Sequence, residues 1–268
     1  MFRQLWAFIK KDFLIELSYK LHFILIWLSA FGYIVIFYFI AKLFGKGASV
    51  YLGEYDGRYF PFVFIGIAFS GYLTIALTDF SRNIRTEQMM GTLEAIFLSP
   101  FRPSILVISA SLWNLIFASI STLIYFLFGI FFFGINLSSA NLLGAIIPFI
   151  LMIISFSSIG LISASFVMIF KRGDPIAWAI SLFSNFLGGA YFPTTVLPNN
   201  LQFISRFLPV TYSLRSMRLA ILKGYSFKML IPDVSILLLF CLILLPSSLW
   251  TFRYAVKKAK TEGSLAHY

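Results

Sequence analysis

Residues 142–170, LLGAIIPFILMIISFSSIGLISASFVMIF, decide the fold: the stretch holds no acidic or basic side chain from end to end. Crossing a bilayer takes about 20 mostly apolar residues in a helix, because hydrocarbon offers no other partner for backbone N–H and C=O groups. This run exceeds that length, so it predicts a spanning helix with room to tilt or protrude. Working outward, five more apolar stretches of comparable length lie near residues 21–43, 60–79, 105–134, 175–192 and 232–252. The prediction is an all-α integral membrane protein with six transmembrane helices, built as one domain over residues 1–268.

Composition agrees. The chain has 268 residues, of which 60% are hydrophobic and 12% charged, and its mean hydropathy is +0.91. Soluble domains carry about 25% charged residues, so this chain lacks the polar surface to cover a globule. The net charge of +11 would suggest nucleic acid in a soluble protein. Here the basic residues sit in short loops and at the termini, a placement that reflects topology and anionic headgroups, with no nucleic-acid partner implied. The single cysteine, Cys241, lies inside an apolar run, which leaves neither a disulfide framework nor a Cys-based metal site. The start, MFRQLWAFIKKDFLIELSYK, is interrupted by charge and followed by no small-residue cleavage site, so no cleavable signal peptide is expected.

Six spans place both termini on one side. Lys and Arg number 13 on that side and 8 on the other. The bias predicts a multi-pass protein of the inner or plasma membrane with both termini in the cytoplasm.

Three segments outside the spans carry helical or unusual patterning. Residues 1–20 set Phe2, Leu5, Trp6, Ile9, Phe13 and Leu17 on one stripe, the pattern of a helix lying in the membrane interface. Such a helix serves as an anchor or as a docking surface. The loop between spans two and three reads SRNIRTEQMMGTLEAIFLSPFRP, residues 81–103. A cytoplasmic helix over 84–98 would put Met89, Leu93, Ile96 and Phe97 on one face and Glu87 and Glu94 nearly opposite, before Pro100 and Pro103 end it. Its acidic face is either simply solvated or a contact for a partner. Between spans five and six, residues 188–224 read GGAYFPTTVLPNNLQFISRFLPVTYSLRSMRLAILKG. That is too apolar for a free loop and too rich in proline for one spanning helix. It predicts a re-entrant hairpin over 193–209 or a folded cap outside the membrane. Residues 210–224 then read as an amphipathic helix carrying Arg215 and Arg218 and ended by Gly224.

Catalytic constellations are missing. The two histidines, His22 and His267, lie far apart, and no G-x-x-x-x-G-K-[ST] phosphate loop occurs. Asp79 sits at a span end beside Arg82, and Asp174 and Asp233 flank their spans, so no carboxylate near the midplane suggests ion coupling. The chain is expected to be no enzyme by itself and to bind no cofactor. Energy for any transport must come from a separate protein.

The loop Glu87 through Pro100, E-x-x-x-G-T-L-E-A-I-F-L-S-P, resembles the cytoplasmic coupling region of ABC-2-type transporter permeases. The stretch Gly188 through Pro198, G-G-A-Y-F-P-x-x-x-L-P, followed by Leu208-Pro209 and Tyr212–Arg218, is similar to that family's signature near its last spans. Lys171-Arg172-Gly173-Asp174-Pro175 matches a cytoplasmic turn often seen there. The parts follow the family's order along nearly the whole chain. The resemblance implies a half-transporter that works as a homodimer with two copies of a nucleotide-binding subunit, on which ATP and Mg would be bound. It implies that Glu87, Gly91, Thr92, Leu93 and Glu94 couple to the ATPase, and that the N-terminal helix lies beside the same partner. It assigns an outer gate to Gly188, Gly189, Tyr191, Phe192, Pro193, Pro198, Pro209 and Arg215. The expected cargo is a hydrophobic or amphipathic small molecule or a lipid. A polysaccharide or lipid-linked glycan is the second reading, and a passive channel or scaffold the third.

Overall fold

The computed structural model describes residues 14, 20–55, 57–91, 103–171 and 173–261, and among these the chain is entirely helical. The α-helices are α1 (Lys20–Ala48), α2 (Tyr59–Met89), α3 (Pro103–Phe133), α4 (Leu142–Phe170), α5 (Pro175–Leu187), α6 (Asn199–Ser205), α7 (Pro209–Lys223) and α8 (Phe227–Thr261). Short 3-10 turns cover Ser49–Tyr51, Gly53–Tyr55 and Thr194–Val196. The expected interface helix over 1–20 lies almost wholly outside the described residues.

Helix boundaries follow capping chemistry. Asn141 precedes α4 and its side chain accepts from Gly144 N at 2.9 Å, satisfying one of the first-turn donors that have no partner within the helix. Asp174 does the same for α5 through Ala177 N at 2.9 Å, with Pro175 at the first helical position. Gly224 closes α7 at φ +64°, and a Cβ there would lie 2.3 Å from Ser139 O. Glycine is therefore required twice over, by conformation and by space.

Four helices among the described residues are long and apolar enough to cross a membrane: Tyr59–Met89, Trp113–Phe133, Leu142–Phe170 and Phe227–Thr261. That is fewer than the six expected. The apolar part of α1 described with its side chains is Phe31–Leu43. The expected span over 175–192 is instead a helix of 13 residues that stops at Leu187. At 1.5 Å per residue it is about 20 Å long, short of the roughly 30 Å of hydrocarbon. The physical reason is the Gly188-Gly189 pair, where φ turns to +80° at Gly189 and the chain folds back. The second span runs the other way: α2 continues ten residues past 79, to Met89.

α4 is the central element and packs on α2, α7 and α8. Small residues allow the approach. At Gly160 a Cβ would lie 2.5 Å from Ala76 O of α2, and Ser155, Ser158, Ser163 and Ser165 are buried along the same helix. Small side chains that let backbones meet are what drives helix association where lipid tails are as apolar as leucine. Polar contacts then tie neighbours together: Asn114 Nδ2 donates to Asp79 Oδ2 at 2.8 Å, Thr122 Oγ1 to Ala68 O at 3.1 Å, and Gln88 Nε2 to Met168 O at 3.4 Å. Much of the phenylalanine packs ring on ring, as in Phe60–Phe133 (5.4 Å) and Tyr72–Phe149 (4.7 Å). The opposite extreme is α8, where Leu238, Leu239, Leu242 and Ile243 are exposed, as suits a face turned to lipid.

Candidate functional site

At the end of the bundle where α2 begins and α7 lies buried, one side chain organises the surroundings. Arg218 of α7 is 2% exposed. Its Nε donates to Phe62 O at 3.0 Å, Nη1 to Gly189 O at 2.7 Å and Nη2 to Ala190 O at 2.9 Å. The guanidinium lies 3.6 Å from the centre of the Phe62 ring and 6.0 Å from that of Tyr55. Burying a cation is costly unless its donors are satisfied. A planar fork meets three carbonyls from two chain segments in a way an ammonium cannot, and the ring faces add cation–π attraction. Burial pushes the Tyr55 phenol up to about 12, against the pull of Arg218, so it stands as a neutral ring beside the cation.

Two of the three carbonyls held by Arg218 belong to the turn after α5. Tyr59 Oη donates to Tyr191 O at 3.1 Å, so three consecutive carbonyls, from residues 189, 190 and 191, each accept from a side chain. The Tyr191 ring stacks on Phe37 of α1, with centroids 5.7 Å apart and planes 6° from parallel. Gly66 of α2 makes this approach possible, since a Cβ there would lie 2.0 Å from Ala190 O and 2.5 Å from Arg218 Nη2. Gly188 caps α5 through Ser184 O at 3.0 Å, and a Cβ on it would meet Val210 of α7 at 2.2 Å.

The gate residues read from the sequence therefore sort by position. Gly188, Gly189 and Pro193 are buried, and Tyr191 and Phe192 are half-buried. Pro198 precedes α6, an exposed seven-residue helix. Pro209 opens α7 and is buried. Residues 193–209 thus form a 3-10 turn, α6 and the entry to α7, with Pro193, Ser205 and Pro209 buried among them. Arg218, which fastens the turn, was read from the sequence only as one charge on an amphipathic helix.

Arg215, one turn earlier on α7, faces out and joins three elements. Nε and Nη2 donate to Glu54 Oε1 at 3.0 and 2.6 Å, and Nη1 donates to Asp233 Oδ1 at 3.2 Å. Ser216 Oγ donates to Asp233 Oδ2 at 3.3 Å. Burial alone would lower the Arg215 pKa, but the Glu54 hydrogen bond and the Asp233 charge raise it above its ordinary value. The two carboxylates differ in exposure: the side chain of Glu54 is 41% exposed and that of Asp233 8%. An exposed pair contributes about 0–1 kcal/mol, whereas a buried carboxylate stripped of a partner costs about 1–3 kcal/mol. R215A is therefore expected to lower the melting temperature of the extracted protein more than E54A does. Equal shifts would show that Asp233 gains nothing from Arg215.

The second set of residues lies at the other end of α2. Glu87 is half-buried in its last turn, and the helix ends at Met90 and Gly91, with Gly91 exposed at φ +69°. Residues 84–89 thus continue α2. Thr92, Leu93 and Glu94, with the rest of the expected 84–98 helix, lie outside the described residues. The two sets are not brought together: Phe62 and Glu87 lie about 38 Å apart along α2 at 1.5 Å per residue.

Comparison with known proteins agrees with this architecture. No individual curated protein matches the chain. The family model described as ABC-2 type transporter matches residues 3–222, from the N-terminal segment to the last turn of α7, leaving α8 beyond the match. With most of its length matched and apolar helices of spanning length on both sides of the Arg218 turn, the chain is a multi-pass membrane permease that belongs to the ABC-2 type transporter family.

Proposed function

We propose that this chain is the membrane subunit of an ATP-driven exporter, energised by a separate nucleotide-binding subunit and working as a homodimer in the inner or plasma membrane. The observation that carries the reading is α2. One unbroken helix of 31 residues places Glu87 at one end and the carbonyl of Phe62, held by Arg218, near the other. ATP-driven closure of the partner would select one of two packings of the membrane subunits. A push at residues 87–94 would reach the turn at 188–192 along a rigid element. Both termini would face the cytoplasm with the coupling residues, and the Arg218 end would face out. ATP and Mg would be bound by the partner.

A hydrophobic or amphipathic small molecule or lipid is the cargo best matched to the surfaces. In support, a cavity of about 390 Å³ between α3 and α4 is lined by Phe69, Leu123, Phe126, Leu142 and Phe149.

The test is an affinity pull-down of the tagged chain from its native membrane, with ATPase activity assayed on what accompanies it. A co-purifying ATP-hydrolysing subunit is expected. E94R should reduce transport at least tenfold while leaving the chain inserted, because a charge reversal at a docked contact both removes an attraction and adds a repulsion. A chain that purifies alone and never supports ATP hydrolysis would remove the exporter reading, and normal transport by E94R would remove Glu94 from it.

A further inference from the structure

We propose that a cleft between α2, α4 and α5, at the Glu87 end of the bundle, binds the phosphate headgroup of an anionic membrane lipid. The cleft has a volume of about 360 Å³, and its two cations are Arg82 and Arg85, one turn apart on α2. Neither guanidinium makes a hydrogen bond or an ion pair among the described residues. Arg85 reaches across to the turn between α4 and α5, where its Nη1 lies 3.7 Å from the place a Cβ on Gly173 would take. Asp174 is the one carboxylate among the described lining residues, and its charge is directed inward. Its Oδ1 accepts from Ser163 Oγ and Ala177 N, and Oδ2 is shut off from solvent. Asp79, one turn before Arg82, feels that cation's charge but accepts from Asn114 Nδ2 at 2.8 Å, and it does not line the cleft. Outside the described residues, the position nearest in sequence to the lining is Arg172, itself a cation.

Three features select a lipid. A guanidinium presents paired N–H donors that match phosphate oxygens, and a basic pocket between membrane helices on the cytoplasmic side suits an anionic headgroup. On the rim stands Trp178, 69% exposed, a ring of the kind that membrane proteins place at headgroup level. From it the outer face of α5 continues a turn at a time through Leu182 and Phe186, 40% and 55% exposed, a surface that hydrocarbon covers. Head and tails of one molecule are thus matched by adjacent surfaces. Under the orientation proposed above, this end faces the cytoplasm, where anionic lipids concentrate. That orientation decides only the leaflet; the site rests on the cleft. Occupancy has a consequence, because a headgroup here joins α2 to α5, the elements that Arg218 ties together at the opposite end through Phe62 O and the turn after Leu187.

Native mass spectrometry of the full-length chain in its purified assembly tests this, with phosphatidylglycerol and phosphatidylcholine offered at equal concentration. Wild type is expected to retain phosphatidylglycerol in preference. R82Q/R85Q is expected to weaken that binding about thirtyfold, the worth of two basic residues at an anionic surface, with phosphatidylcholine binding unchanged. R82K/R85K should keep the preference. R253Q/K257Q, on α8, which does not line the cleft, should also keep it. If R82Q/R85Q gives no folded assembly, R85Q alone reads the same contact as a loss of about fivefold. Equal retention of the two lipids overturns the proposal, as does an undiminished preference in R82Q/R85Q or an equal loss in R253Q/K257Q. Inorganic phosphate that displaces phosphatidylglycerol at millimolar concentration would show the site to belong to a soluble anion and overturn the lipid assignment.

Discussion

The R218A chain is expected to reach the membrane in a small fraction of the wild-type yield and, once extracted, to melt far below it. Removing the guanidinium leaves the carbonyls of Phe62, Gly189 and Ala190 without the donors they now have, in a place where Arg218 itself is 2% exposed. Phe62 O keeps its place in the α2 hydrogen-bond ladder, but the Gly189 and Ala190 carbonyls lose their side-chain donor, and each orphaned buried acceptor costs about 1–3 kcal/mol. A stability margin of about 5–15 kcal/mol does not absorb that without visible loss. R218K should rescue only part of it, since one ammonium cannot span the fork between Phe62 O and the 189–190 carbonyls. The measurement is a melting curve in detergent, read against R215A, which removes an exposed arginine from the same helix and should melt above R218A. If R218A melts with wild type, the turn after α5 is held by something other than the arginine.

G66A should be nearly as damaging, although in ordinary helices the change from glycine to alanine stabilises by about 0.5–1 kcal/mol. The reversal of sign is the diagnostic. The added methyl carbon would sit 2.0 Å from Ala190 O and 2.5 Å from Arg218 Nη2, roughly 1.5 Å inside carbon contact distance. Either α2 retreats from the turn or the turn leaves the arginine. Gly71 lies on the same helix with nothing within 4 Å of its would-be Cβ, so G71A is expected to be neutral or mildly stabilising. Melting curves of the two variants side by side decide the matter, and G66A behaving like G71A would refute the close approach.

Those two residues show where sequence reading stops. The long helices were legible because spanning hydrocarbon writes itself into twenty consecutive residues: α4 covers 142–170 as expected, α3 lies within two residues of its apolar run, and α8 contains the run 232–252 but extends to Thr261. The cap at Gly224 was legible because the end of a helix needs a particular residue type at a particular place, whereas Asp174 was read only as flanking its span and proves to cap α5. The end of α5 was not, since Gly188 to Phe192 is apolar enough to extend the run while the backbone has already turned at Gly189. Hydropathy also failed at the end of α2, where Asp79, Arg82, Arg85 and Glu87 stop the apolar pattern but leave the helix intact to Met89. Arg218 carried no signal at all. On an amphipathic helix a charge reads as solvent-facing, and only the meeting of two distant segments, around Phe62 and Gly189, creates the carbonyl cradle that lets it be buried. Gly66, alone in an apolar run, has the same weakness: its neighbour, Ala190, is remote in sequence. The gate region could be found by its glycines and prolines, but the residue that fastens it could not.

The half-length helix α5 has a further consequence, an electrical one. Aligned peptide dipoles leave about half a unit of positive charge at a helix N-terminus and half a unit of negative charge at its C-terminus. Transporters that use broken helices commonly turn those ends toward a permeating ion, which trades its water shell for them. Here both ends are already answered from within the chain. Asp174 caps the start through Ala177 N, and Arg218 holds the carbonyls at 189 and 190 just past the finish. At α5 the groups nearest the two ends, Asp174 and the carbonyls of Gly189 and Ala190, are already bonded within the chain. Any movement of the interrupted helix would have to carry or break those contacts at both of its ends.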